Sequence, residues 1–134
     1  MKIKTYYLPL LLLSIFLAGC SNAITVKGKV EFSDGQPLEF GKVVFENDKN
    51  SFVGRIGKDG NFSMGRLKDG NGIPRGNYRV YIAETHKMIR DNKYAPQIDK
   101  KFSSSDTSNL QFDIQKKTTD ISIVVERHKT GKEK

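Results

Sequence analysis

The sequence predicts an all-β fold, a β-sandwich of about seven short strands, following an export leader. Three observations carry this prediction. Apolar residues recur at every second position in several separate segments. Gly, Asp, Asn and Pro punctuate those segments. Beyond the leader, no segment repeats its apolar residues with a convincing helical period. A period of two puts one set of side chains on one face of a pleated strand, so each segment needs a second layer to cover that face.

The elements follow in order. Ile24, Val26, Val30 and Phe32 share one face of the first strand, while Thr25, Lys27, Lys29 and Glu31 take the other. Ser33-Asp34-Gly35 and Pro37 end it. Leu38 and Phe40 have the opposite parity to Val43 and Phe45. A bulge or bend is therefore predicted across Gly41, because a one-residue slip would otherwise turn one pair to water. Phe52, Gly54 and Ile56 share a face of the next strand. Gly57-Lys58-Asp59-Gly60-Asn61 reads as a hairpin loop, since Asp-Gly tolerates positive φ, and Phe62 and Met64 begin the return strand. Lys68 to Gly76, with three glycines and Pro74, is a loop. Tyr78, Val80 and Ile82 form another strand face, then Leu110, Phe112 and Ile114, and finally Ile121, Ile123 and Val125. Between them, Glu84 to Asn109 lacks alternation and is predicted as a long loop with a short helix near Lys87 to Asn92. Loops of that length are often functional.

The leader is the sharpest local signal. Lys2 and Lys4 precede an apolar run, Leu8 to Leu17, interrupted only by Pro9 and Ser14. The run is too short for a membrane-spanning helix, which takes about 20 apolar residues. A basic start, a short apolar centre and a small-residue end mark an export signal. That end, Leu17-Ala18-Gly19-Cys20, resembles the lipobox of bacterial lipoproteins. The resemblance implies a diacylglyceryl group on the Cys20 thiol and cleavage between Gly19 and Cys20. It also implies a lipid anchor in the cell envelope, at the outer membrane in a Gram-negative organism because Ser21 rather than Asp follows. The expected organisation is a removed signal peptide (1–19), a lipidated linker (20–23), the sandwich (24–127) and a polar basic tail (128–134). Cys20 is the one cysteine, so the sandwich has none for a disulfide or a thiolate metal site.

The remaining chain is similar to a carboxypeptidase-regulatory-like domain. The likeness lies in Val26-Lys27-Gly28-Lys29-Val30, the turn Asp34-Gly35-Gln36-Pro37-Leu38, the strand Val43-Val44-Phe45, the turn Lys58-Asp59-Gly60-Asn61-Phe62, and Pro74-Arg75-Gly76-Asn77-Tyr78-Arg79-Val80. Ile98-Asp99-Lys100-Lys101-Phe102 followed by Thr107-Ser108-Asn109-Leu110 resembles small planctomycete-type lipoproteins, with Asp99 where their motif has Pro and Phe102 where it has Tyr. The resemblance implies a Greek-key, transthyretin-like (prealbumin-like) sandwich. Its motifs are turns and core residues, so they specify fold far more than function.

Little chemistry is legible. The two histidines, His86 and His128, stand in no ligand-spaced cluster. Ser103-Ser104-Ser105 has no activating neighbour. Asp69-Gly70-Asn71-Gly72 has too few oxygen ligands for a calcium loop. A non-enzyme with no cofactor and no metal is therefore expected. The net charge of +8 suits an anionic neighbour such as a membrane surface, and also suits plain solubility. Nucleic acid is not expected, for lack of an aromatic stacking platform. In the long loop, Lys87, Arg90, Tyr94, Lys100, Lys101 and Phe102 combine aromatics with basic side chains. They are either a grip for an envelope protein or an acidic glycan, or two aromatics packed under the loop with lysines in water. The expected function is a lipid-anchored envelope protein with a non-catalytic binding or scaffolding module. The alternatives are a lipoprotein subunit of a secretion or envelope assembly, and an accessory protein capturing glycans or peptides.

Overall fold

A computed structural model describes residues 22–65 and 70–129. These carry nine strands: β1 (Val26–Phe32), β2 (Lys42–Glu46), β3 (Ser51–Arg55), β4 (Asn61–Ser63), β5 (Gly76–Ala83), β6 (His86–Met88), β7 (Tyr94–Pro96), β8 (Leu110–Ile114) and β9 (Thr118–Val125). One sheet has the order β4-β1-β9 and a second the order β3-β2-β5-β8, while β6 and β7 pair only with each other. The expectation of about seven strands thus omitted the small ribbon. The chain is all-β, with its two larger sheets packed as layers of a sandwich-like body.

The core is the set that alternation selects. Val26, Val30 and Phe32 from β1, Val43 and Phe45 from β2, Tyr78, Val80 and Ile82 from β5, and Ile121, Ile123 and Val125 from β9 all join one buried cluster. Phe45 is fully buried, with its ring centroid 6.5 Å from Phe62, 5.9 Å from Tyr78 and 5.8 Å from Phe112. Such ring pairs add about 0.5–1.5 kcal/mol each beyond the area they bury. Leu110 and Phe112 on β8 are half-buried and pack against the same cluster. The Tyr78 hydroxyl donates to the Pro74 carbonyl at 2.6 Å, and burial pushes that phenol above its ordinary pKa.

Two joints deserve comparison with the sequence reading. The parity change at Gly41 is a bend: Gly41 has φ +116°, and β2 begins at the next residue. Its carbonyl accepts from Ile56 N–H at 2.9 Å, which ties the bend to the end of β3. The segment Gly57 to Asn61 is a closed turn, but it is not the loop of a hairpin within one sheet. It leads from β3, which pairs with β2, to β4, which pairs with β1, so it is a corner between layers. One bridge, Val53 to Gly65, stitches the two edges together. Gly54 permits this approach, since a Cβ there would lie 2.7 Å from the Ser63 carbonyl oxygen.

The first and last strands, β1 and β9, run parallel, with a register shift between Val26 and Gly28. Before β1, Ile24 bridges Ile73 with reciprocal backbone hydrogen bonds of 2.7 and 2.9 Å. The body also reaches slightly past its expected limit, since His128 N–H donates to the Gln97 carbonyl at 3.1 Å. Cys20, Gly19 and residues 130–134 of the expected tail lie outside the described residues.

Candidate functional site

The segment after β5 folds back on itself where the sequence reading placed a short helix. In the β6–β7 ribbon, His86 pairs with Pro96, Lys87 with Ala95, and Met88 with Tyr94. Its turn runs Arg90-Asp91-Asn92-Lys93, with Lys93 N–H donating to the Arg90 carbonyl at 2.9 Å. Asp91 and Asn92 both take positive φ, 52° and 60°. Two successive positive φ angles make a primed turn, whose twist matches that of antiparallel strands, and Asp and Asn tolerate that region. Ile89 N–H closes the ladder on the Lys93 carbonyl at 2.8 Å.

The base of the ribbon is tied to one end of the sandwich. Gln97 N–H donates to the carbonyl of buried Thr85 at 3.1 Å, and Ile98 bridges Arg127. Beside it, Arg127 stacks 3.9 Å from the Phe32 ring and donates to Asp34 Oδ2 at 3.0 Å through Nη2 and 3.3 Å through Nε. Asp34 Oδ1 accepts from Gln36 N–H at 3.0 Å. That backbone bond, followed by the Arg127 guanidinium, holds the Asp34 carboxyl below its ordinary pKa. This clamp lies at the Phe32 end of β1, whereas Ile24 lies at the other end. At about 3.3 Å per residue the intervening strand separates them by roughly 20 Å.

The ribbon exposes apolar side chains that the body does not need. Met88 is 54% exposed, Ile89 58% and Tyr94 60%. Met88 and Tyr94 sit opposite one another on one face of the ribbon, with His86 and Pro96 beside them. Lys87, Arg90 and Lys93 are exposed and form no ion pair among the described residues.

The residues chosen from sequence therefore divide. Lys87, Arg90 and Tyr94 come together on the ribbon. Phe102 does not belong with them: it is buried in the core by a 3-10 turn, Lys100–Ser103, which Asp99 caps through a 3.0 Å bond from Lys101 N–H. Lys101 Nζ is engaged with Glu126 at 2.9 Å and lies 4.9 Å from the Phe102 ring centroid. Lys100 is exposed on that turn, outside the ribbon strands. Sequence reasoning missed Met88, Ile89 and Lys93. The available signal was an apolar pair, Met88-Ile89, in a polar stretch with no apolar alternation to join.

Elsewhere the surface carries a further groove of polar side chains. A shallow groove of about 390 Å³ is lined by Glu46, Asp48, Asn77, Arg79, Gln111 and Asp113 among others. Its Arg79 is shared between Glu46 at 3.9 Å and Asp48 at 3.6 Å. Among the described residues, no group of three or more His, Cys, Asp or Glu side chains is placed to hold a metal. His86 and His128 are both exposed.

Comparison with known proteins adds a structural likeness. No family model matches this chain, and no curated protein matches it. Among solved structures, it is similar to a DUF3823 family protein from Bacteroides ovatus, at 16% identity and a TM-score of 0.46, over 77% of this chain. The chain spans 44% of that protein's length.

Proposed function

We propose that this chain is a lipid-anchored cell-envelope protein, held through Cys20, whose β-sandwich is a non-catalytic binding module that makes its contacts through the β6–β7 ribbon. The observation that carries this reading is the separation of the two ends. The lipobox-like Leu17-Ala18-Gly19-Cys20 leads into the Ile24 end of the sandwich, and the exposed Met88, Ile89 and Tyr94 project from the Phe32 end. An anchor with two or more acyl chains holds a protein stably, because each buried methylene contributes about 0.8 kcal/mol. The parallel pairing of β1 with β9, and the split into sheets β4-β1-β9 and β3-β2-β5-β8, support the finer reading of a transthyretin-like Greek-key topology.

Mass spectrometry of the Cys20 peptide tests the anchor. The expected result is a diacylglyceryl adduct on a peptide that starts at Cys20. A Cys20→Ser chain should leave the membrane fraction; one that stays membrane-bound and processed would refute the anchor. Affinity capture from native envelopes tests the ribbon: partners held by the full chain should be lost when His86–Pro96 is replaced by a short turn.

A further inference from the structure

We propose that the ribbon is a lipid-contact element, whose exposed Met88–Tyr94 face settles into the headgroup region of an anionic bilayer while Arg90 and Lys93, at its turn, meet the lipid phosphates. This deepens the reading of the ribbon as the binding element and does not depend on the anchor.

Shape is the first argument. The ribbon is a two-stranded finger with Met88 and Tyr94 exposed, and a cavity of about 190 Å³ at its base takes only Lys87 from it. Such a finger enters a soft or concave surface; it does not enclose a small ligand. Size is the second. A stable protein partner is held by about 20–30 residues a side, and His86 to Pro96 supplies about half of that. A bilayer sets no such minimum, because long-range attraction adds to whatever apolar contact is made. Chemistry is the third. Met is apolar, Tyr has an apolar body with a polar tip, and Lys and Arg lay long aliphatic stems along apolar surface while their charges stay wet. The charge has the matching sign: three basic side chains on the ribbon against Asp91, in a chain of net charge +8.

The turn sets the depth. Asp91 and Asn92 form the apex and are polar, so the ribbon lies on the bilayer by its Met88–Tyr94 face and stays at headgroup level. With the anchor leaving from the opposite end, contact falls on a facing bilayer, or on the anchoring one when the sandwich lies over.

The chain has no tryptophan, so Tyr94→Trp installs a single reporter. The full chain carrying it is reconstituted in phosphatidylcholine vesicles. Phosphatidylglycerol is then supplied, either in added protein-free vesicles or within the same bilayer. The expected result is a blue shift of Trp emission and reduced acrylamide quenching in at least one arrangement, both reversed by high salt. Both should vanish when Arg90→Glu and Lys93→Glu are added, with unchanged thermal melting as the folding check. Met88→Ser, on the same background, should weaken the shift while leaving the ribbon's charge unchanged. No shift with phosphatidylglycerol, or a shift indifferent to the charge reversals, overturns the proposal. So does a shift that appears only with protein-containing envelope extract, which would assign the ribbon to a protein seat. Flotation with phosphatidylcholine vesicles reports the anchor separately: lost flotation with a retained blue shift removes the anchor and leaves the ribbon contact standing.

Discussion

The sandwich body and the ribbon are both antiparallel or mixed β-structure, yet they are held in different ways. In the body, Phe45 is shielded on every side and touches three other aromatic rings. On the ribbon, Tyr94 faces only Met88 across the ladder, and both are more than half exposed. Backbone hydrogen bonds are present in each. What differs is the second layer: the body's strands are fixed by packing between sheets, and the ribbon by its turn and its base. An isolated two-stranded ribbon is marginal in water, so this one depends on the body for support and returns little. Its side chains are free to serve contacts.

Substitutions can break or sharpen that contrast. The largest effect is expected for Phe45→Ala, which should cost about 3–5 kcal/mol in urea unfolding through a core cavity. Gly54→Ala should cost about 1–3 kcal/mol, because the added methyl overlaps the Ser63 backbone at the corner between sheets. Tyr78→Phe leaves the ring in place and removes the bond to Pro74, so a loss of about 1 kcal/mol is expected in the same assay. Asp34→Asn tests the clamp through pH. The folded carboxyl titrates below its usual value of 3.8. Its contribution is therefore complete above that value and is lost as pH falls through the lower folded pKa. Melting curves of the wild type and Asp34→Asn should converge as the solution is acidified through that window. Met88→Ser and Tyr94→Ser on the ribbon should shift unfolding by no more than about 0.5 kcal/mol. If Tyr94→Ser destabilises as much as Phe45→Ala does, the ribbon is part of the core and the contrast fails.

The body was legible because its longer strands β1, β5 and β9 are drier on one face than on the other, which writes a period of two into Val26-Val30-Phe32, Tyr78-Val80-Ile82 and Ile121-Ile123-Val125. The corner at Asp59-Gly60 was legible as a turn but not as a change of sheet. A turn residue reports local φ, whereas the choice of neighbouring strand is made by packing far away in sequence. The ribbon was not legible, since strands wet on both faces carry no alternation; its one local sign is Asp91-Asn92, a pair suited to a primed turn. The two loop aromatics looked alike for a similar reason. Phe102 and Tyr94 both sit among basic residues, and only the Asp99-capped turn, which rotates Phe102 inward, separates core from surface.

The parallel contact between β1 and β9 sets the order in which this molecule can assemble. Gly28 must wait for Ile121, and Phe32 for Val125, so the central strand of one sheet has no permanent neighbour on that side until nearly all of the chain is available. Proteins dominated by such distant pairings fold in milliseconds to seconds rather than microseconds. A chain truncated before Thr118 would display β1 as an open, partly apolar margin, the kind of template on which chains aggregate. The arrival of β9 is therefore itself a folding step for this domain.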